Sequence, residues 1–420
     1  MTLDLSAFLA VNGAMLIDLR RHLHAHPELG WAERESTALV ARSLEAVGLR
    51  PRLLPTGTGL TCDIGTVKGP TVALRADLDA LPVEDEKDVP YRSTVPGVCH
   101  ACGHDVHTTM LLGAGLALAQ CIDELPGRVR LIFQPAEERL PGGSLSAITA
   151  GVLKDVSAIF ALHCDPKSDF GKVGVRVGPM TAACDEFEVR LFGPGGHTAR
   201  PDQTADLVYI ISRVVTDLPA ALTRLIDPAA VMSATFGAIE AGKASNVIPS
   251  SAIARGTIRV LNRQVWDKAS KLVERLIDAT VAPYNVTWNL HYERGSPPVV
   301  NDEVATAIIA TAARRIVGEP GVFIAPQSLG GEDFSWYLEE VSGAMARLGV
   351  RVPGTSVDLH SAMFDVDERA IAIGVRLLAQ AAVDALQHFA VSTPTVDLDL
   401  TAQRRGRERT RAATVDDAVV

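Results

Sequence analysis

The chain is poor in several things at once. Of its 420 residues only six are cysteine: Cys62, Cys99, Cys102, Cys121, Cys164 and Cys184. That is too sparse for a disulfide framework in a chain of this size and suits a reducing compartment. Positive charge is not in excess, for the formal net charge is −10, which argues against non-specific nucleic-acid binding. The opening Met1-Thr-Leu-Asp-Leu-Ser6 lacks a basic segment, so no signal peptide is expected. The longest apolar run, Met110 to Cys121, is broken by glycines and is too short to span a bilayer. No internal repeat is found. The expectation is a soluble cytoplasmic chain with no nucleic-acid and no membrane partner. Its 47% apolar residues and 34 glycines suit a globular α/β protein, and its length is that of two domains.

Against this background one stretch is dense in chemistry: Cys99-His-Ala-Cys-Gly-His-Asp-Val-His107. Cys102, His104 and His107 are borderline-soft ligands with Asp105 among them, a donor set for zinc and related divalent ions. Gly103 permits a tight turn through which Cys102 and His104 converge. The apolar run that follows makes this a loop feeding a buried helix. Cys99-x-x-Cys102 also reads as a thioredoxin-type redox pair, but His104, Asp105 and His107 would then have no role. A structural zinc site would need a second pair of close-spaced ligands, and none is present.

Periodicity places a helix over 6–25 that ends in the alternating His22, His24 and His26 before Pro27. Local hydrogen bonding at a helix end is the favoured reading of these three. A second helix is expected over 33–47. Strands over 60–67, 71–77, 128–133 and 156–162 alternate with helices over 104–121 and 144–153, the pattern of a mainly parallel α/β sheet. Asp77, Glu137, Glu138 and His163 then fall at carboxyl ends of strands, where open α/β sheets bind ligands. From residue 183 the texture changes. Strands over 185–192, 230–240, 252–260 and 285–293 with helices over 203–218 and 264–280 give the β-α-β-β-α-β order of a ferredoxin-like domain. A helix over 302–316, a strand near 345–348 and a last helix over 368–389 return to the first texture. The expected division is a discontinuous metal-binding catalytic domain, 1–182 with 295–392, an inserted domain, 183–294, and a disordered tail, 393–420, carrying Arg404, Arg405, Arg407, Arg409 and Arg411.

Glu137 and Glu138 are adjacent at a strand end. In a turn they can reach different partners, one carboxylate on a metal and the other on the metal-bound water, whose proton it takes and returns to a leaving amine. A solvated acidic pair at a helix start is the alternative. A two-metal site needs further donors, and Asp77, Asp105, Glu138, His163 and His360 are available.

Eight motifs occur in register: Arg75-Ala-Asp-Leu-Asp-Ala-Leu-Pro82, Cys102-Gly-His-Asp105, Phe133-Gln-Pro-Ala-Glu-Glu138, Gly195-Gly-His197, Asn246-Val-Ile-Pro249, Gly256-Thr-Ile-Arg259, Glu332-Asp-Phe334 and Phe364-Asp-Val-Asp-Glu368. Together they resemble the M20 metallo-amidohydrolases over about residues 15–390, most of all the branch of hippurate hydrolases, N-acyl-amino-acid amidohydrolases and auxin-conjugate hydrolases. The resemblance implies a dinuclear site with ligands Cys102, His104, Glu138, His163 and His360. Glu137 would be the general base, and Asp77 would orient a ligand. It also implies two divalent ions, Zn or Mn first, Co or Ni next. The inserted domain would be a lid and dimerisation domain. Its His197 would stabilise the oxyanion in a neighbouring subunit's site, and Asn246 and Arg259 would hold the substrate carboxylate.

The implied activity is hydrolysis of the amide of an N-acyl amino acid or related small conjugate by a homodimer or higher oligomer. A dipeptidase, a deacetylase of an amino-acid precursor, and a non-catalytic binding member of the fold are the rivals. Departures from the family pattern at Arg139-Leu-Pro141, Cys164-Asp165, Gly331 and Ala362 bear on substrate and metal preference.

Overall fold

The structure is a computed structural model that describes residues 2–66 and 68–392. The tail expected to be disordered, 393–420, lies outside the described residues, as does Val67. Among the described residues the larger sheet has eight strands, in the order Arg52–Leu53, Leu60–Gly65, Arg128–Gln134, Thr71–Asp77, Val156–Asp169, Gly343–Arg351, Val173–Val175 and Val322–Ile324. Its centre is parallel: Thr71–Asp77 pairs in parallel with Arg128–Gln134 and with Val156–Asp169, which pairs in parallel with Gly343–Arg351. Leu60–Gly65 adds an antiparallel flank on Arg128–Gln134.

Both faces of this sheet are covered, so its central strand is buried along its whole length, Arg75 and Asp77 included. Every residue of Thr71–Asp77 is buried. Val72, Leu74 and Ala76 enter the cluster built on the helices Ser6–Ala25, Arg34–Glu45, His104–Ala119, Glu303–Val317 and Ala370–Ser392. Ala73 points the other way, into a cluster with Ala147, Phe334 and Tyr337 from the short helices Gly143–Thr149 and Ser335–Glu340 and the turn before the second. The helix His104–Ala119 is buried almost all round. The Ala370–Val391 stretch is long and apolar enough to cross a membrane, but 72% of its apolar window is packed inside the fold.

The elements between Ala183 and Glu293 form a second sheet in the order Met232–Ala241, Ser251–Val260, Ala183–Phe192 and Thr287–Glu293, antiparallel throughout. Phe187, Val189 and Leu191 turn inward against Ile210, Val214, Val273 and Ile277 of the helices Leu207–Leu225 and Arg263–Val281. This is the ferredoxin-like arrangement expected from the sequence. Asp185 ties the two crossings between the sheets: its carboxylate accepts from Trp266 Nε1 (2.8 Å), the Tyr292 hydroxyl (2.6 Å) and Gly295 N–H (3.0 Å).

One strand departs from expectation. The reading over 156–162 put His163 at a carboxyl end, but the strand runs Val156–Asp169 and His163 lies within it. Its neighbour supplies the reason. Gly343–Arg351 pairs His163 with Arg347 and continues to Asp169, so cross-strand bonding overrides a segment whose Asp and Pro content reads as a turn.

Candidate metal centre

The site gathers at one rim of the larger sheet. Thr71–Asp77 delivers Asp77; Arg128–Gln134 leads through Pro135 into Glu137 and Glu138. Gly103 adopts φ 89°, and a Cβ there would stand 2.8 Å from Cys164 Sγ. Only glycine fits that turn, which sends Cys102 and His104 toward one point. His360 arrives from the loop between Gly343–Arg351 and Ala370–Ser392, its N–H donating to Ala101 O at 2.8 Å.

Two imidazoles are fixed as ligands require. His104 Nδ1–H donates to Asp79 O (2.8 Å) and His163 Nδ1–H to Cys164 O (2.8 Å). Each ring therefore turns its Nε2 to the site, the orientation that backbone carbonyls commonly impose on metal-binding histidines. His163 Nε2 faces Cys102 Sγ at 3.7 Å. Glu138 Oε1 lies 3.3 Å from His360 Nε2 and 4.0 Å from His104 Nε2. His104 Nε2 and Glu138 Oε1 are buried and have no hydrogen-bond partner among the described residues. Donor atoms of Cys102, His104 and Glu138 lie within 4.8 Å of one another. Orphaned lone pairs converging with a thiol and a carboxylate fit a divalent cation, since left unpaired they would be costly. Burial, followed by the Arg347 charge, holds the His163 imidazole well below its ordinary value, which keeps it the neutral base that a ligand must be.

Two members of the Cys–His stretch are engaged by other partners. His107 Nε2 accepts Cys164 N–H (2.9 Å) and its Nδ1–H faces Asp77 Oδ1 (2.7 Å). Both ring nitrogens are thus used within the protein, and His107 is not a free ligand. Asp105 points to the far side, where its Oδ2 meets Arg20 Nε and His24 Nδ1, each at 2.8 Å. This also corrects the local reading of the N-terminal histidines. His26 does bond locally, Nδ1 to His22 O at 2.8 Å, but His24 is fully buried and serves Asp105.

Asp77 sits behind the site, bound by Arg75 Nη1 (2.7 Å) and His107, with His104 Nε2 at 3.8 Å. Arg75 also reaches Gln134 Oε1 (2.9 Å), Asp333 Oδ1 (2.8 Å) and Glu332 Oε1 (3.2 Å). Glu332 and Asp333 of the Glu332-Asp-Phe334 motif join the site as well: oxygens of Glu137, Glu332 and Asp333 lie within 4.8 Å of one another. Burial, then the Glu332 and Glu138 carboxylates, push Glu137 well above its ordinary value.

A cavity of about 230 Å³ opens here, lined among others by Cys102, Glu137, Glu138, His163 and His360. The second sheet contributes Cys184, Glu186 and Arg259. Cys184 and Arg259 are direct cross-strand partners, so they share a face. Arg259 donates one long bond, Nη1 to Leu329 O at 3.3 Å, and forms no ion pair among the described residues. Gly331 forms part of the wall, where a Cβ would come 2.9 Å from Cys184 Cβ. His197 and Asn246 are not among the described residues lining this cavity. Both are exposed and neighbour one another, Thr198 N–H donating to Asn246 O at 3.3 Å.

Residues 73–384 match peptidase family M20/M25/M40. Over 364 residues, 86% of this chain, a Rhodococcus jostii (strain RHA1) protein named for a glutamate–cysteine ligase is 50% identical. This chain spans only 46% of that protein's length. The N-acetyl-L-cysteine deacetylase of Bacillus subtilis (strain 168) is 37% identical over 85% of this chain and 84% of its own. Among solved structures, the Bacillus subtilis YXEP protein, described as a dinuclear metal-binding peptidase of the M20 family, superposes with a TM-score of 0.80 at 32% identity. The match covers 90% of this chain and 99% of that one.

Proposed function

The chain belongs to peptidase family M20/M25/M40, and from that premise we propose that it is a two-metal amidohydrolase cleaving N-acyl amino acids or small conjugates of them. The observation that carries the reading is the convergence of His104 Nε2 and Glu138 Oε1, buried without a hydrogen bond among the described residues, with Cys102 Sγ, beside a second carboxylate, Glu137. Cys102, His104, Glu138, His163 and His360 would hold two divalent ions, Zn or Mn before Co or Ni. When bound, these supply Lewis-acid polarisation of the amide carbonyl and a more acidic water.

The chain's own residues would do the rest. Glu137, pushed up by burial and its neighbouring carboxylates, takes the proton of the attacking water and returns it to the departing amine. Asp77 keeps His107 in place and faces His104. Arg259, without an ion pair among the described residues, offers a guanidinium fork to the substrate carboxylate. A cavity of about 230 Å³ favours a small acyl group and a single amino acid.

Residues 1–182 with 295–392 would act as the catalytic unit and 183–294 as its lid. His197 and Asn246 stand together, exposed and away from the cavity of their own chain. Their placement supports the reading that they complete the site of a second copy, His197 at the oxyanion and Asn246 at the carboxylate.

The test is amine release from N-acetyl amino acids (N-acetylcysteine included), N-benzoyl and N-indoleacetyl amino acids, and dipeptides. Metal-stripped protein is reloaded separately with zinc, manganese, cobalt or nickel. Metal-dependent hydrolysis of one acyl class is expected. Silence across the panel with two ions bound would overturn the reading in favour of a binding-only member.

A further inference from the structure

The turn that carries Glu137 and Glu138 is held in an unusual way. Ala136 adopts φ 53°, a left-handed conformation in which successive N–H groups line a common concavity, an arrangement that usually receives an anion. Here the protein supplies its own. Ala136 N–H donates to Glu33 Oε1 (2.7 Å), Glu137 N–H to Asp79 Oδ1 (2.9 Å) and Glu138 N–H to Asp79 Oδ2 (3.0 Å). Gly143 N–H closes the turn onto Ala136 O at 2.9 Å. Glu33 and Asp79 are both buried, at 0% and 1% exposure.

Asp79 does one thing more. Its main-chain carbonyl is the acceptor that fixes His104 Nδ1–H. One residue therefore touches the backbone of the expected base, the backbone of one expected ligand and the ring of another. Charge-assisted bonds from both carboxylate oxygens leave the Glu137–Glu138 peptide little freedom, and the carboxylates beyond it inherit that position.

We propose that Asp79 is a positioning residue: it sets Glu137, Glu138 and His104 relative to one another, so that the metal-binding geometry depends on a side chain that touches neither ion nor substrate. The inference rests on the two-metal reading above. Asparagine is the informative replacement. It is isosteric, but its Nδ2 would face a backbone N–H that it cannot accept, so one bond is lost and two donors are opposed.

The experiment compares wild-type protein and Asp79→Asn by chelator competition for zinc and by the visible spectrum of the cobalt-loaded form. Thermal melts of both metal-free proteins run alongside, and kcat and KM are measured on any substrate that the wild type hydrolyses. Zinc affinity is expected to fall about 10- to 100-fold, the usual effect of losing a partner that orients a ligand. The cobalt spectrum should change, and kcat should fall more than KM changes. A residue of merely structural importance would lower the melting temperature and leave the affinity and spectrum of the folded protein untouched, and that result overturns the proposal. If Asp79→Asn does not fold, Asp79→Glu keeps the charge but displaces it by a methylene and carries the same test. Wild-type zinc affinity in that variant also overturns the proposal. Metal binding that is normal in wild type and weakened in the variant, with no substrate turned over by either, supports Asp79 while it refutes the hydrolase reading.

Discussion

Gly103, His104 and Asp105 are consecutive, yet each has a different fate. Gly103 makes the turn, His104 aims its Nε2 at the site, and Asp105 is turned aside to Arg20 and His24. Residue types alone made Asp105 and His107 as plausible as ligands as His104, because all three are donors within one short stretch. Helical geometry rotates neighbours to different faces and returns His107 to the face of His104, with ring centroids 5.4 Å apart. What then separates His104 from His107 is the surroundings: Asp77 and Cys164 consume both nitrogens of His107. Glu137 and Glu138 divide at the same scale, Glu138 toward His360 and His104, Glu137 toward Glu332 and Asp333. Glu137→Gln keeps the shape and removes the proton acceptor. We expect two ions still bound per chain, measured by elemental analysis, and kcat lowered by roughly 10²- to 10⁴-fold, the usual range for a general base. Near-normal turnover would remove Glu137 from that role.

The elements that carry these residues were largely legible. The Ser6–Ala25 helix falls where its apolar period put it, and so do the strands Thr71–Asp77 and Ser251–Val260 to within a residue or two. Short strands such as Val173–Val175 and Val322–Ile324 carry no sequence signal, for three residues hold no period. The antiparallel flank gives a measurable electrostatic feature. Asp63 on Leu60–Gly65 lies opposite Arg130 on Arg128–Gln134, with two hydrogen bonds at 2.7 and 2.9 Å. Burial alone would raise the Asp63 carboxyl, but the Arg130 bonds and charge, with Arg128 and Arg52, outweigh it and hold the group below its ordinary 3.8. A carboxyl lowered by folding contributes stability that is fully present above its unfolded value and is lost as pH falls through the folded one. The melting temperature of wild type should therefore drop more steeply than that of Asp63→Asn as pH is lowered from about 4. Parallel curves would show that the pair adds nothing.

At the scale of the whole molecule, the second sheet places Arg259 and Cys184 in the cavity of their own chain while His197 and Asn246 stand elsewhere on it. If the site is completed by a second copy, two separately inactive variants should rescue each other. His197→Ala supplies an intact Glu137, Glu137→Gln supplies an intact His197, and a mixed dimer holds one complete site. Mixing the two under conditions that allow subunit exchange should recover activity well above either alone. No recovery in a verified mixed dimer would place His197 outside the partner's site.

The α/β class, the ferredoxin-like insertion, nearly all the longer elements and the residues from which a metal site could be built are legible along the chain. These follow from periods of two and 3.6, from turn chemistry and from motifs whose residue types are needed for their chemistry. Which of those residues meet is set by long-range packing. The length of Val156–Asp169 was set by Gly343–Arg351 across the sheet, and the fates of Asp105 and His24 by their burial against Arg20. The hold of Asp79 on the Glu137–Glu138 turn came from the packing of two parallel strands side by side. Each is a long-range hydrogen bond or ion pair whose partners are distant along the chain. Its energy depends on mutual position and burial, quantities that no local stretch of sequence contains.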